Sequence, residues 1–466
     1  MSENSLDIRI VSISATERAV SMRLPFQFGD TVVTETAEAF VAVKIETRGK
    51  IFNGLSAQLM VPRWFDKRPD QTNADTVNTL RQSILQACKS AKGLSGPTAH
   101  ICTAINTGVL EKMPKVTPAL AAGFGPALVE MALIDAVCQA AECNFFDGAH
   151  QDIFGLTERA GPGLSERMIS QGLSSIRPKW TMQIRHTVGA DAPLYPADAE
   201  PLVNDDGPVA LQDVMDRTGI SAFKIKLKGN VDNDLKRLMA IAPLLEHCKN
   251  LAVTLDANEQ YSADAFPVFL KGFQSTSTLA KMRDATLFIE QPFAREIALE
   301  TEISNDTGTL PLIIDESDDH DGSFAQAWSL GWRGTSVKSC KSVFRALLNF
   351  CRVQHFKSEG HEAFLSGEDL TCQPGLCLQQ DTLMGAAVGI VHTERNGHHF
   401  AGGMQGASNK EISQITQRHS DLYDASGARP ALRIDSGHIK FESLNEPGFG
   451  SSRSLDVSND TQILNK

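Results

Sequence analysis

Several features that define common classes of protein are missing from this sequence of 466 residues. The formal net charge is -12, which argues against a nucleic-acid partner. The nine cysteines show no CxxC spacing, so we expect reduced thiols rather than a disulfide framework or a zinc site. The N-terminus lacks the basic and apolar regions of a signal peptide, and no apolar run approaches the ~20 residues of a membrane helix. We therefore expect a soluble, cytoplasmic protein with no membrane or nucleic-acid partner.

Short apolar segments recur between residues 223 and 341, and each of them has a lysine or an acid at or next to its last position. The segments are 223–227, 251–256, 286–290, 312–315 and 335–338. Their richness in Val, Ile, Leu, Phe and Thr is typical of buried parallel strands, and their spacing resembles the roughly 30 residues of each strand-plus-helix unit in a (β/α)8 barrel. Such barrels carry their chemistry at the carboxyl ends of the strands. The sequence therefore predicts a site made by Lys226, Asp256, Glu290, Asp315 and Lys338.

The chain divides into two main parts. Strand-like alternation over 7–60, followed by helical patterns at 72–91 and 126–143, predicts an α+β domain over 1–160. The second of these helices is apolar almost all round and should be buried. Strands and helices then alternate, which predicts an α/β fold with a (β/α)8-type barrel over 175–435; fewer than eight units would leave a doubly wound sheet. Barrel strands are expected at 180–186 (first), 363–366 (seventh) and 397–401 (eighth), and helices at 207–219, 231–248, 262–282, 322–331 and 342–356.

Three acids end consecutive predicted strands. Asp256, Glu290 and Asp315 would converge above the barrel, where three carboxylates repel one another unless a cation neutralises them. Ligation by oxygen alone, without histidine or cysteine, suits Mg²⁺. The alternative is an ion-pair network with the neighbouring lysines.

Three lysines accompany the acids. Lys224 and Lys226 lie two apart on one strand and so point the same way, into the barrel, and Lys338 follows four strands later on the opposite side of its mouth. Two buried ammonium groups depress at least one pKa, and a lysine shifted towards neutrality can act as a general base. This arrangement suits removal of a proton α to a carboxylate, with a metal holding the resulting enediolate. The alternative is that the lysines reach from the barrel rim into solvent.

These residues resemble the motifs of the enolase superfamily, in its muconate-lactonizing-enzyme subgroup. The ordered set of motifs spans roughly residues 8 to 450. The matching stretches are Leu24-Pro-Phe-Gln-Phe-Gly29, Val129-Glu-Met-Ala-Leu-Ile-Asp-Ala136, Phe223-Lys-Ile-Lys226, Leu255-Asp-Ala-Asn258, Ile289-Glu-Gln-Pro292, Ile314-Asp-Glu-Ser317, Val337-Lys-Ser-Cys-Lys341 and Pro447-Gly-Phe-Gly450. The resemblance implies that the N-terminal domain caps the barrel and that the C-terminal segment, 436–466, returns to the cap.

The resemblance also implies roles for individual residues. The Mg²⁺ ligands would be Asp256, Glu290 and Asp315. Lys226 and Lys338 would be the acid/base pair on opposite faces of the substrate, and Lys224 would tune Lys226 or help neutralise the substrate carboxylate. Asn258 and Glu316 would orient the ligands. Cap loops at 26–30 and 52–55, which contain Phe26 and Phe52, would close over the site and select the substrate.

Some residues depart from the pattern of the family. Ser342 and Val343 stand where two glycines usually follow the Lys338 motif. The region of the eighth strand has no Asp-x-Asp, with which dipeptide epimerases hold an α-ammonium group, so an ordinary dipeptide substrate is in doubt. Glu368 and Asp369, at the end of the seventh strand, are candidates for contact with a cationic group, and His398 is a candidate substrate contact.

The sequence thus predicts a Mg²⁺-dependent enzyme that abstracts the α-proton of a small carboxylate substrate. With a lysine on each face, racemisation or epimerisation is the favoured outcome. The alternatives are elimination, as in o-succinylbenzoate synthase, cycloisomerisation, as in muconate lactonization, and a catalytically idle binding protein. The mandelate-racemase subgroup is disfavoured because it uses a His–Asp dyad where Lys338 stands. A homo-oligomer is possible, since members of the family often form dimers or octamers.

Overall fold

The computed structural model describes residues 5–29, 31–161, 163–199, 205, 207–303, 310–451, 455, 457 and 462–463. Its N-terminal part is a sheet of long antiparallel strands followed by helices, as the sequence predicts. The strands are β1 (Asp7–Phe28), β2 (Thr31–Thr47) and β3 (Lys50–Leu59), and the short β4 (Ser95–Pro97) pairs with β1. The helices are α1 (Asn73–Ala91), α2 (Thr98–Lys112), α3 (Ala119–Ala141), α4 (Phe145–His150) and α5 (Glu166–Ser174).

Helix α3 is the buried centre of this cap. It spans 23 residues and is long and apolar enough to cross a membrane, which differs from the sequence-based expectation that no apolar stretch reaches that length. The helix packs within the protein instead: 94% of its most apolar 18-residue window is buried. Its two acids, Glu130 and Asp135, are also buried, and each is hydrogen-bonded to a segment beyond the cap. The predicted burial of this helix is confirmed.

The second part is a closed parallel barrel. Its strands are β5 (Thr181–Val188), β6 (Ala222–Lys226), β7 (Ala252–Asp256), β8 (Thr286–Glu290), β9 (Leu312–Ile314), β10 (Gly334–Val337), β11 (Phe364–Gly367) and β12 (His392–Glu394). Each strand pairs in parallel with the next, and β12 pairs with β5, so these eight strands close the barrel. Its helices are α6 (Leu211–Thr218), α7 (Val231–Leu245), α8 (Ala265–Ser275), α9 (Ala280–Asp284), α10 (Arg295–Ala298), α11 (Ser323–Ser329), α12 (Val343–Ser358) and α13 (Leu376–Ala387). The predicted fold class, a (β/α)8-type barrel with an N-terminal cap, is confirmed.

The eighth barrel strand was predicted wrongly. It is β12, not 397–401, which instead forms a turn of π-helix, Gly397–Ala401. The strand has only three residues, all of them polar or charged, so it lacks the apolar run by which a buried strand is recognised. At the start of the turn, a Cβ on Gly397 would collide with the backbone carbonyl of Cys372, so glycine permits the close approach of the two loops.

The remaining elements run from the barrel back to the cap. They are α14 (Asn409–Arg418), β13 (Tyr423–Asp424), β14 (Ala431–Leu432), β15 (His438–Lys440) and β16 (Gln462–Ile463). Strand β15 adds antiparallel to β5 of the barrel, and β16 adds antiparallel to β1 of the cap. Between them, the Phe449 N–H donates to Asp135 of α3 at 2.7 Å. The C-terminal segment thus contacts both parts of the protein; 452–454, 456, 458–461 and 464–466 lie outside the described residues.

Candidate active site

Strand register brings the predicted site residues together at the carboxyl end of the barrel. Lys226 pairs with Asp256 across β6 and β7, and Asp256 pairs with Glu290 across β7 and β8, so these residues end their strands side by side. Asp315 and Lys338 directly follow β9 and β10. All five side chains are buried. The runs that the sequence predicts as strands therefore end where their terminal residues can act together.

Lys224 lies at the centre of the acids. Its ammonium Nζ is 2.8 Å from Asp256 and 2.9 Å from Glu290, and on its other side 2.6 Å from Glu368 and 3.1 Å from Glu394. Burial alone would lower the pKa of Lys224, but the attraction of these carboxylates outweighs it, so the pKa lies well above its ordinary value.

The sequence predicts a depressed pKa for at least one of Lys224 and Lys226; the pKa of Lys224 is raised instead, and so is that of Lys338. Burial opposes the charge of Lys338, but Asp315 and Glu290 raise its pKa above the ordinary value. The prediction considered the ammonium groups as neighbours of one another. In the structure, each of these two lysines is instead surrounded by carboxylates, whose attraction exceeds the repulsion between the ammonium groups.

Lys338 and Asp315 form the other half of the site. Lys338 Nζ donates to both oxygens of Asp315 at 2.6 Å, and Lys341 Nζ reaches the Asp315 backbone oxygen at 3.1 Å. Ser336 also donates to Asp315. Despite burial, the two lysines hold the pKa of Asp315 well below its usual range. Lys341 was seen in the sequence only as part of a motif, and the structure places it among the site residues.

Glu290 is the one predicted metal ligand without a hydrogen-bond donor. Both of its carboxylate oxygens are buried and accept no hydrogen bond, although the Lys224 ammonium group lies 2.9 Å from one of them. Burial, together with the charges of Asp256 and Glu368, raises the pKa of Glu290 well above its ordinary value. A buried carboxylate in this state requires a cation or a proton.

These observations bear on whether the residues fit Mg²⁺. The candidate donors Asp256, Glu290 and Asp315 are all oxygen donors, as Mg²⁺ prefers. Glu290 accepts no hydrogen bond, and the cation that it faces in the structure is the Lys224 ammonium group. In the part of the chain that the structure describes, however, no three His, Cys, Asp or Glu side chains are placed so as to hold a metal ion. Ammonium groups stand between the acids: Lys224 touches Asp256 and Glu290, and Lys338 holds Asp315. The three acids therefore have the chemistry that Mg²⁺ prefers. Lys224 and Lys338 would have to move before the acids could bind one ion together.

Asn258 and Glu316 lie beside these groups. The Asn258 side-chain oxygen accepts from Lys226 at 2.7 Å, and its amide nitrogen donates to Glu316 at 3.3 Å. Lys67, from the segment after β3, reaches Glu316 at 3.3 Å and also pairs with Glu259. The two residues thus connect Lys226 to the cap, and their proposed effect on metal ligands stays a prediction.

The cap reaches the site through a segment that the sequence did not single out. The ring of Trp64, just after β3, lies over Lys338 with Nζ 4.7 Å from the ring centroid. A cation in this position over an indole is attracted to the ring face. Nothing in the sequence marks Trp64, because the contact joins the cap to the sixth barrel strand and depends on how the two parts pack.

The predicted cap loops make their described contacts with residues other than those of the lysine site. Phe26 is buried against Phe28 and Phe400, with ring centroids 5.5 and 4.9 Å away. Phe52 lines a cavity of about 740 Å³ between the cap sheet, α3 and the C-terminal segment. Residue 30, the end of the first predicted loop, lies outside the described residues. Their role in selecting a substrate stays a prediction.

Acids at the ends of β11 and β12 are already engaged within the protein. Glu368 contacts both Arg185 and Lys224. Asp369 accepts from the backbone N–H groups of Cys372 and Asn396 at 2.9 and 2.6 Å, which fixes the loops after both strands. Their contacts do not test whether they also meet a cationic substrate group. Glu394 was missed by the sequence reasoning because the eighth strand was placed a few residues too late.

His398 is half-buried and lies beside the buried imidazoles of His186 and His399. Its ring centroid is 6.0 Å from that of His186 and 6.3 Å from that of His399. Burial lowers the pKa of His398 to about 4. It is therefore uncharged at neutral pH, and its predicted contact with a substrate is untested.

Comparisons with known proteins connect this geometry to solved structures. No protein-family model and no curated protein matches the sequence. The structure is similar to 2-chloromuconate cycloisomerase from Rhodococcus opacus (TM-score 0.60, 15% identity, 96% of this chain and 97% of that one). It is also similar to muconate lactonizing enzyme from Pseudomonas fluorescens complexed with muconolactone (0.61, 14%, 97% and 98%). A third is dipeptide epimerase from Cytophaga hutchinsonii complexed with Mg and D-Ala-L-Val (0.60, 13%, 96% and 97%).

The fold and the site together define a capped (β/α)8 barrel whose ionisable side chains gather at the carboxyl ends of its strands. The comparisons show that this architecture is also the fold of 2-chloromuconate cycloisomerase, muconate lactonizing enzyme and dipeptide epimerase. The resemblance inferred from the motifs is confirmed at the level of the fold. These three neighbours are enzymes. The structural match covers nearly the whole of each chain and so includes the cap as well as the barrel.

Proposed function

We propose that the protein is a Mg²⁺-dependent enzyme that abstracts the α-proton of a small carboxylate substrate, and that it acts as a racemase or epimerase. One observation carries the proposal. Lys226 and Lys338 lie at the ends of the second and sixth strands of the closed barrel, on opposite sides of its mouth, with the acids Asp256, Glu290 and Asp315 on the strands between them. Two lysines facing each other can remove a proton from one face of a carbon atom and return it to the other.

Asp256, Glu290 and Asp315 would hold the Mg²⁺ ion. When bound, the ion supplies positive charge that stabilises the negative charge developing on the substrate carboxylate. Lys226 is fixed by Asp256 and Asn258, at 2.6 and 2.7 Å, so its Nζ is positioned to exchange a proton with the substrate. Lys338, under the ring of Trp64, would serve the other face.

The test is a deuterium-exchange screen with the enzyme and Mg²⁺ in D₂O. Amino-acid derivatives, dipeptides and hydroxy acids would be offered, and mass and configuration measured. We expect a gain of one mass unit together with inverted configuration at the α-carbon for at least one compound class. Loss of water or ring formation without a reversible exchange of configuration would replace the proposed isomerase with a lyase or a cycloisomerase. An enzyme that exchanges no α-proton in any class would contradict the proposal.

A further inference from the structure

Lys224 has more carboxylate partners than one ammonium group needs. Two of them, Asp256 and Glu290, are the candidate Mg²⁺ ligands, at 2.8 and 2.9 Å. The other two, Glu368 and Glu394, come from the last two strands of the barrel, at 2.6 and 3.1 Å. All of these side chains are at least nine-tenths buried, so their charges interact with little screening by water.

The ammonium group and a divalent cation compete for the same two carboxylates. A cation bound by Asp256 and Glu290 would stand within a few ångströms of Lys224 Nζ, where like charges repel strongly. Lys224 must therefore move away from these two acids when the cation binds. The acids on its other side determine how readily it can do so.

Of the two alternative partners, Glu368 is the nearer to Lys224, but Glu394 is the one whose charge other cations neutralise less. One oxygen of Glu368 is already bound by Arg185, so part of its charge is neutralised. Glu394 is bound by neutral donors: Thr187, the Asn396 amide at 2.7 Å, and the Asp369 N–H at 3.0 Å. Among the described residues, Lys224 is the one cation that forms an ion pair with Glu394. The neutral donors hold the carboxylate in place without competing for its charge.

We propose that Glu394 is a positioning residue that draws the Lys224 ammonium group off Asp256 and Glu290 and so opens these carboxylates to a divalent cation. The proposal rests on the proposed function, since it assumes that the acids bind Mg²⁺. It also gives a role to the acid at the end of the eighth strand, which lies 3.1 Å from Lys224.

Titration of the full chain with Mg²⁺, measured by isothermal calorimetry, tests the proposal without any need for a substrate. Glu394→Gln keeps the shape of the side chain and removes its charge. We expect the Mg²⁺ affinity to fall about tenfold or more, as it does when groups that orient metal ligands are removed. Glu411→Gln is the matched control, since Glu411 is also buried and ion-paired, but with Arg18 of the cap. It should bind Mg²⁺ as the wild type does.

A second variant separates repositioning of charge from a structural effect. In a Lys224→Met background no ammonium group competes, so adding Glu394→Gln should leave the Mg²⁺ affinity unchanged within about twofold. An equal loss with and without Lys224 would overturn the proposal, as would unchanged affinity in Glu394→Gln alone. If Lys224→Met does not fold, Glu394→Asp is measured instead. Because it keeps the charge, it should retain most of the Mg²⁺ affinity that Glu394→Gln loses. Wild-type protein that binds no Mg²⁺ would refute the proposed function as well.

Discussion

Ser342 provides a test of how the cap and the lysine site are joined. It follows the turn Ser339–Lys341 and has φ 107° and ψ 124°, a backbone conformation that glycine adopts easily and other residues do not. Its hydroxyl donates to Glu130 of α3, with oxygen distances of 2.9 and 3.1 Å, and Glu130 also accepts from the Phe344 N–H at 3.0 Å. A buried acid of the cap thus holds a strained serine next to Lys338 and Lys341.

The expected energies follow from these contacts. Ser342→Ala keeps the strained backbone and loses the hydrogen bond to a charged group, so the free energy of unfolding should fall by about 1.5–3 kcal/mol. Ser342→Gly loses the same bond but also relieves strain of about 1–3 kcal/mol, so it should stay within about 2 kcal/mol of the wild type. Both variants lose the hydroxyl that accepts from the Arg345 N–H, so this loss cancels in the comparison.

Equilibrium unfolding in urea, monitored by circular dichroism, measures the difference. The glycine variant should be more stable than the alanine variant by about 1–3 kcal/mol. This order reverses the usual preference for alanine over glycine. An alanine variant as stable as the glycine variant, or more stable, would show that the backbone at Ser342 is not strained and would refute the reasoning.

Two other predictions concern buried acids. Glu290→Gln should weaken Mg²⁺ binding by about tenfold or more, because it removes the carboxylate that has no other hydrogen-bond partner, and an unchanged titration would mean that the metal site lies elsewhere. Burial raises the pKa of Asp135 to about 6, against opposition from its hydrogen bonds. Because the folded-state pKa is the higher one, its stabilising contribution is present at low pH and is lost as pH rises through about 6. Relative to Asp135→Asn, the wild type should therefore lose up to about 3 kcal/mol of stability between pH 4 and 7, and parallel pH profiles in urea would contradict this.

The barrel and its acids could be predicted because the strands that carry these acids give two signals in the sequence, an apolar run and a charged residue at its end. The run that ends at Glu290, for example, is both apolar enough to be a buried strand and terminated by a charge, and its spacing from Asp256 fits one strand-plus-helix unit. Strand β12 lacks the apolar run, since it has only three residues, and its terminal Glu394 is followed directly by the polar Arg395 and Asn396. Its misplacement hid Glu394 from the sequence reasoning.

Contacts between distant parts of the chain could not be predicted. Trp64 and Lys67 look like ordinary loop residues, and only the packing of cap on barrel places them over Lys338 and beside Glu316. The balance of charge around Lys224 was also out of reach, because it depends on four acids from four different strands. Sequence patterns identify which groups end the strands, whereas their pKa values depend on distances between them.

The central claim is that Lys226 and Lys338 act on opposite faces of one carbon atom. It is tested most directly by α-proton exchange in D₂O with each epimer of a substrate separately, in the wild type and in Lys226→Ala and Lys338→Ala, with Mg²⁺ present. We predict that both variants remain folded and lose interconversion of the epimers by about a hundredfold or more, and that each still exchanges only the epimer served by its remaining lysine. Interconversion at the wild-type rate in either variant would contradict the two-lysine mechanism.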